Sequence, residues 1–398
     1  MAATDLATNS SSGPPARTGT GGFWSRIARQ IGLGPCQTRS TLTVGVDLQL
    51  MQPGGATGGV KPLVYSFLRE IGRTEGPRMR FVYVAGRDLA PELHALARPI
   101  DVICLPPAAP ADFDVLYAPF GRSALMRQDV PTVSLIVDLL HRDLPEALPI
   151  EEVNYRHEWF TQIAAHATVF QCISHYTAAR LQLHYGVTPE RCFVTHLPVH
   201  ERLTSTMRPD ATASSPVRGP FFFYPANFWP HKNHETLLDA YAVYRTTAGE
   251  SAWPLVLTGH PDARMQMLRE RAAASGIAAH VHFLGHRQEG EFTALWRAAG
   301  ALVYPSLHEG FGIPLLEAMA FGVPIIASNT TSLPEVGGDA ALFIDPRDPT
   351  SIAAAFSRLA GDANLRGDLT LRGTGRLRAF SLEREATKLA TRFRGAAR

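Results

Sequence analysis

The chain has 398 residues, with 38 Lys plus Arg against 36 Asp plus Glu and a formal charge of +2. So even a balance excludes the broad basic field of a general nucleic-acid binder, and the length predicts roughly two to three domains. No run of about eighteen apolar residues occurs, which excludes a spanning helix, and Cys36, Cys104, Cys172 and Cys192 lie far apart with no C-x-x-C pair, as expected of reduced core cysteines in a cytosolic protein.

In chain order, residues 1–40 come first as a tail. The opening twenty are rich in Ser, Thr, Gly, Ala and Pro and lack a signal-peptide apolar core, a composition that predicts disorder. Phe23 to Ile31 sets apolar residues at helical spacing with basic residues between them. Two readings stay open: a piece packed on its own protein, or a segment 23–33 lying on the inner face of an anionic membrane. From Thr41 onward short apolar runs alternate with helical stretches, the pattern of an α/β sheet. The first series of strands is expected at Thr41–Asp47, Phe81–Ala85, Asp101–Leu105, Thr132–Val137, Thr168–Ile173 and Cys192–Leu197. A glycine-rich loop, Gly54 to Val60, follows the first strand, where bare backbone can approach a phosphate or sugar or serve as a connector.

Thr204 to Arg218 is polar and without periodicity, which reads as a linker. A second series of strands is expected at Phe221–Pro225, Leu255–Thr258, Val281–Leu284, Ala301–Tyr304, Val323–Ala327 and Ala341–Ile344, and Leu382 to Phe393 has the spacing of an amphipathic helix. The expected division is a tail 1–40, a first domain 41–203, a linker 204–218, a second domain 219–380 and a terminal helix 381–398. Two doubly wound sheets imply a cleft between them, and open sheets of this kind bind ligands beyond the carboxyl ends of their strands.

The chemistry concentrates in His308-Glu309-Gly310-Phe311-Gly312-Ile313-Pro314-Leu315-Leu316-Glu317. A strand, a glycine turn and a proline-started helix present free backbone N–H groups to the loop, where a pyrophosphate can sit on the positive end of the helix dipole. Glu317, one turn into that helix, can accept hydroxyl hydrogen bonds from a ribose, and Glu309 faces what lies beyond the phosphates. Lys232, in a loop before the helix start His234-Glu235-Thr236, is a point charge suited to a phosphate oxygen. The pairs His196/His200 and His231/His234 have metal-like spacing without a recognised third ligand, so no metal is expected.

The run from His308 through Ala318-Met319-Ala320-Phe321-Gly322-Val323-Pro324 to Leu333-Pro334-Glu335-Val336-Gly337-Gly338-Asp339-Ala340 resembles the Glu-x7-Glu segment of family 4 retaining glycosyltransferases. That resemblance implies the GT-B fold, two Rossmann-like α/β domains facing a central cleft, with the nucleotide sugar on the second domain, most of the acceptor site on the first, and the last helix crossing back to brace the first. It also implies metal-independent transfer with no cofactor. Phe228-Trp229-Pro230-His231-Lys232-Asn233 is similar to a subgroup rich in bacterial polysaccharide mannosyltransferases. The resemblance assigns donor contacts to Lys232, Gly310, Phe311, Gly312, Leu315, Glu317 and the loop glycines Gly58 and Gly59, with Arg287 in the base pocket or on the surface. Asn227 stands where many relatives have an arginine, leaving a polar contact without charge. Thr132 to Pro145 is similar to the family's apolar-His-Asp-Leu segment, but Val137 occupies the usual histidine position. Asp138 and His141 are then the candidates for the acceptor side, beside Glu309. Ser174 reads as a helix N-cap.

The resulting expectation is a transferase moving a hexose, mannose from GDP-mannose, to a saccharide or lipid-linked acceptor in polysaccharide biosynthesis. The competing classes are a nucleotide-sugar 2-epimerase and a non-catalytic module that binds sugar nucleotides or glycans.

Overall fold

The computed structural model describes residues 41–54, 59–105, 112–199 and 214–397. The tail with segment 23–33, Gly58, His200 and most of the expected linker lie outside the described residues. Among these residues no helix is long and apolar enough to cross a membrane.

Among the described residues, thirteen strands form two wholly parallel sheets. The first comprises β1 (Leu42–Leu48), β2 (Met79–Ala85), β3 (Val102–Cys104), β4 (Val115–Ala118), β5 (Thr132–Ile136), β6 (Val169–Cys172) and β7 (Cys192–Val194), in the order β3-β2-β1-β4-β5-β6-β7. The second comprises β8 (Phe222–Pro225), β9 (Leu255–Thr258), β10 (Val281–Gly285), β11 (Ala301–Tyr304), β12 (Ile325–Ser328) and β13 (Ala341–Ile344), in the order β10-β9-β8-β11-β12-β13. Both sheets reverse direction of winding beside their first strand, between β1 and β4 and between β8 and β11. At such a switch point the neighbouring loops part and leave a crevice.

The near-continuous apolar strands follow from burial on both faces. Val44, Val46, Leu48, Phe81 and Val82 in the first sheet and Phe222, Phe223, Leu255, Leu257, Leu302 and Val303 in the second are buried. Expected and observed strands agree within a few residues except for β4, which the sequence reading passed over. Asp-Phe-Asp-Val-Leu-Tyr-Ala-Pro-Phe has too short an apolar run to stand out, yet β4 pairs with both β1 and β5 and completes the sheet.

The helices that build the cleft are α1 (Val60–Glu75), α2 (Ile150–His166), α3 (His175–Tyr185), α4 (His234–Ala248), α5 (Glu289–Ala298), α6 (Ile313–Phe321), α7 (Leu333–Gly337) and α8 (Leu382–Ala396). Ser174 caps α3 by accepting from the Thr177 amide, as its sequence position predicts. The terminal helix α8 leaves the second sheet and packs on the first half. Phe393 meets the Tyr117 ring edge-on at 5.4 Å, Arg394 pairs with Glu75, and the fully buried Glu385 accepts from the His196 amide.

Candidate functional site

Lys232 ends a short turn, Pro230–Lys232, and the next residue, Asn233, takes a left-handed conformation with φ 61°. Two hydrogen bonds from the Asn233 side-chain amide to the carbonyls of Pro305 and Pro346 hold that conformation. The Lys232 ammonium is thereby delivered inward, 2.5 Å from Glu309 Oε1, with 11% of each side chain exposed. Burial by itself would raise the Glu309 carboxyl, but Lys232, Ser306 and Tyr304 outweigh it and hold the group below the usual carboxylate range. An ionised carboxylate and an ammonium are therefore kept ready beside each other in a nearly dry environment.

Gly312 provides the N-cap of α6 at φ 101°, a conformation open to glycine, and a Cβ there would meet Leu333. The helix begins at Ile313, with Pro314 second, so its first amides face the loop. Gly310 is constrained by a neighbour from the other half. A Cβ on it would lie 1.8 Å from the Val137 carbonyl oxygen, so the two halves touch backbone to backbone at the end of β5.

Two cavities adjoin. The larger, about 510 Å³, is lined by Gly59, Asn227, Thr258, Gly259, His286, Arg287, Glu289, Phe292, Thr293, Pro314 and Glu317. The smaller, about 310 Å³, is lined by Gly59, Val137, Asp138, Lys232, Tyr304, Glu309, Gly310, Phe311, Gly312 and Pro314. Both are of the size that small ligands occupy, roughly 300–1,000 Å³. Gly59, Pro314 and the start of α6 separate them, so an elongated molecule could lie across the helix N-terminus with one end in each.

Of the residues expected at the site, Lys232, Asp138, Glu309, Gly310, Phe311 and Gly312 meet around the smaller cavity; Asn227, Arg287 and Glu317 meet around the larger; Gly59 borders both. Asn227 is already engaged, its Oδ1 accepting from the His260 amide at 2.8 Å, so it pins the loop after β9. Leu315 is placed differently from the expectation. It is fully buried among the core residues of the second half and lines neither cavity.

His141 is also placed away from the cleft. It is 1% exposed, its Nε2 bonds the Tyr185 hydroxyl at 2.7 Å, and its ring packs 4.9 Å from that of Phe160. Burial, aided by Arg156, lowers its pKa to about 4, so it is a neutral packing residue at pH 7. Asp138 stays at the cleft, its Oδ1 accepting from the Leu140 amide and lying 3.7 Å from Arg156.

Contrary to the expectation from histidine spacing, one of these histidines meets metal-capable partners in the fold. His196 does find further metal-capable neighbours, His175 and Glu335, with donor atoms within 4.8 Å of one another. Spacing along the chain could not show this, because Glu335 comes from α7 in the other half. The Glu335 carboxylate is already used: it accepts from the amides of His175 and Tyr176 at the start of α3 and from His196 at 2.7 Å. His231 and His234 do not form a pair of ligands, since His231 packs on Trp229 and His234 lies against Tyr224 and Phe228.

Two contributors escaped the sequence reading. Gly259 must be glycine because a Cβ would lie 2.5 Å from the Ala226 carbonyl oxygen, and the Thr-Gly that ends β9 was the available signal. Glu289 opens α5 on the wall of the larger cavity. Its neighbours Gln288 and Glu291 close a capping box on each other, a pattern visible in the sequence that marks Glu289 as the first-turn carboxylate left to face the cavity.

Residues 210–375 match the family described as glycosyl transferases group 1. That match falls on the half of the chain built on the second sheet, and the described structure has the GT-B fold. It superposes on a glycosyltransferase from Rickettsia africae with a TM-score of 0.65 at 11% identity, covering 90% of this chain and 99% of that one. In sequence, the chain is 36% identical over 171 residues to O-antigen chain mannosyltransferase B of Escherichia coli, which is 42% of this chain and 44% of the relative. It is 26% identical over 243 residues to D-inositol 3-phosphate glycosyltransferase of Corynebacterium efficiens, 58% of this chain and 57% of the relative. The chain thus spans about half the length of these curated relatives.

Proposed function

We propose that this protein is a retaining glycosyltransferase that moves mannose from GDP-mannose to a saccharide or lipid-linked acceptor, with no metal or cofactor. The observation that carries the reading is the Lys232–Glu309 pair at the N-terminus of α6, between a cavity bordered by Glu317 and one bordered by Asp138. A diphosphate across the helix start would draw on Lys232 and the first amides of α6, which stabilise the charge that develops as the sugar leaves. Glu317 then serves the ribose, and Glu309 orients the sugar. A retaining transfer of this kind needs no protein base: the departing phosphate oxygen takes the acceptor proton, and Asp138 positions the acceptor. The close meeting of the two halves at Gly310 and Val137 favours exclusion of water, which would otherwise hydrolyse the donor.

Mannose is favoured by the likeness to a mannosyltransferase. Guanine is favoured by Glu289, since a carboxylate accepts two parallel hydrogen bonds and guanine alone among the common bases offers an adjacent N–H and NH₂ on its pairing edge. The buried, unpartnered Thr293 hydroxyl and Arg287 Nε in the same wall leave further polar capacity for a base. A peripheral position on the inner membrane face would suit a lipid-linked acceptor.

The test is nucleoside diphosphate release from a panel of GDP- and UDP-sugars, with and without mannose-bearing acceptors, in wild type, Lys232→Ala and Glu309→Ala. Acceptor-dependent release from GDP-mannose that both variants lose is expected. Saturable binding without turnover would replace the transferase by a binding module, and acceptor-independent conversion of the donor would replace it by an epimerase.

A further inference from the structure

Asp143 ends the one-turn helix Leu140–Asp143, on the acceptor-side half, and only 5% of its side chain is exposed. Its carboxylate gathers four polar partners. Arg180 Nε donates to Oδ1 at 2.6 Å, His184 Nε2 lies 2.9 Å from the same oxygen and 2.8 Å from Arg180 Nη2, and the Tyr176 hydroxyl (2.8 Å) and His308 Nε2 (3.0 Å) donate to Oδ2. The first three come from α3 in the same half. The fourth comes from the other half, and it is the residue directly before Glu309.

His308 is 3% exposed and packs against the Tyr176 ring, 6.0 Å away between centroids. The next two residues of its loop are tied by their carbonyls: Ser332 Oγ donates to Glu309 at 3.0 Å, and Thr177 Oγ1, again from α3, donates to Gly310 at 3.3 Å. The segment that carries Glu309 is therefore suspended between α3, the Asp143 carboxylate and the start of α7.

A buried carboxylate is a weak source of stability, because its desolvation offsets most of what its partners return. Its value lies in geometry: an ionised acceptor held by directed donors from Arg180, Tyr176 and His308 has one low-energy arrangement. Proton transfer is not available to it. Burial alone would raise its pKa, but His308, His184, Tyr176 and Arg180 hold the group well below the usual carboxylate range, so it stays ionised across the neutral range.

We propose that Asp143 is a positioning residue for glycosyl transfer, acting through His308 to hold the Glu309–Gly310 backbone in register with the acceptor-side half. The role rests on the transferase reading above. It makes the placement of the donor-side carboxylate depend on the meeting of the two halves, so Glu309 is correctly aimed only when they are closed on each other. Misplacing a reacting group by about 1 Å is enough to lower a rate by about 10²-fold without changing how tightly the substrate binds.

The experiment compares wild type with Asp143→Asn, His308→Leu, His308→Gln and the double variant Asp143→Asn/His308→Leu. It measures kcat and KM for donor and acceptor, GDP affinity by calorimetry, and thermal melting. His308→Leu removes the donor to Asp143 at similar size, and His308→Gln restores an N–H. The expected result is a 10- to 100-fold fall in kcat for His308→Leu and Asp143→Asn with GDP affinity within about twofold of wild type. Recovery of most of kcat is expected in His308→Gln, and the double variant should be no slower than the worse single one. Unchanged kcat in a folded His308→Leu, no rescue by glutamine, or multiplicative losses in the double variant would each overturn the positioning role. So would a loss of GDP affinity parallel to the loss of kcat. Should Asp143→Asn fail to fold, the two His308 variants decide the matter alone. Absence of turnover in wild type would overturn the transferase reading and the role with it, whereas turnover in wild type with an indifferent His308→Leu would overturn the role only.

Discussion

The two halves meet the cleft with different equipment. The half on the second sheet supplies Lys232, Glu309, Glu317 and the start of α6, while the half on the first sheet supplies Asp138, Gly59 and apolar side chains such as Leu63, Ile173 and Leu197, with His141 turned inward. The family match covers residues 210–375 and so falls on the half carrying the charged groups. A site for a phosphate-bearing ligand needs particular charges at particular places, so it leaves a local sequence pattern. A site for a hydroxyl-bearing acceptor can be built from many polar surfaces, and leaves little.

The strongest way to break this contrast is at the ion pair. Lys232→Ala should lower kcat by about 10²–10³-fold, the range seen when one preorganised charge-stabilising donor is lost. It should also leave Glu309 buried without its cation, so its pKa, now below the usual value, should rise, and the variant should lose stability. Difference titration of Lys232→Ala against the Lys232→Ala/Glu309→Gln double variant checks the direction. An unshifted Glu309 would mean that the pair does not persist in solution.

Next in size is the contact between the halves. Gly310→Ala should reduce turnover severely and lower stability by about 1–3 kcal/mol, because the obstacle is the Val137 backbone rather than a flexible side chain. Melting and kinetics on this variant report how closely the halves are joined; no effect on either would show that they stand apart in solution.

Acid sensitivity separates the halves more finely. His141 in the first half has a pKa lowered to about 4 by burial and Arg156. In the second, His231 is lowered to about 4 and His234 to about 3 by burial and Lys232. In each case the unfolded chain takes up a proton first as pH falls below about 6.5, so the stabilising contribution is full above that pH and declines as pH drops toward 4. Each group can contribute up to about 1.4 kcal/mol per pH unit within that window. Urea melts at pH 7, 6 and 5 should show the decline, and His234→Phe should make it shallower; a flat profile would contradict the burial of these rings.

The smallest effect serves as a control. Gly367 lies on an exposed stretch of the helix Ala363–Arg376 with open space around a would-be Cβ, so Gly367→Ala should add about 0.5–1 kcal/mol without touching turnover. A change in kcat there would show that stability alone moves the rate, and would weaken the reading of every other variant.

Much of the fold could be read from the chain because buried parallel strands are short apolar runs, as at Leu255–Thr258 and Ala301–Tyr304. Val115–Ala118 was lost because four residues without flanking periodicity look like a loop. The turn at Gly312 and the helix after it were legible for a similar reason, since glycine and proline mark backbone geometry residue by residue. His141 was misplaced because a histidine in a polar-looking segment carries no mark of which way its ring faces.

What the sequence by itself determined is therefore local: the strand succession, the glycine turn into α6, the capping of α3 and the likeness of residues 210–375 to glycosyl transferases group 1. What only the tertiary structure decided is which polar groups meet. Lys232 and Glu309 are 77 residues apart, and Asp143 and His308 are 165 apart. Pairings at that range are set by how two sheets and their loops pack, which no spacing along the chain encodes. The physical reason is that helices, turns and strands are written in neighbouring residues, whereas a buried charge takes its partner from whatever the packed core brings within hydrogen-bond reach.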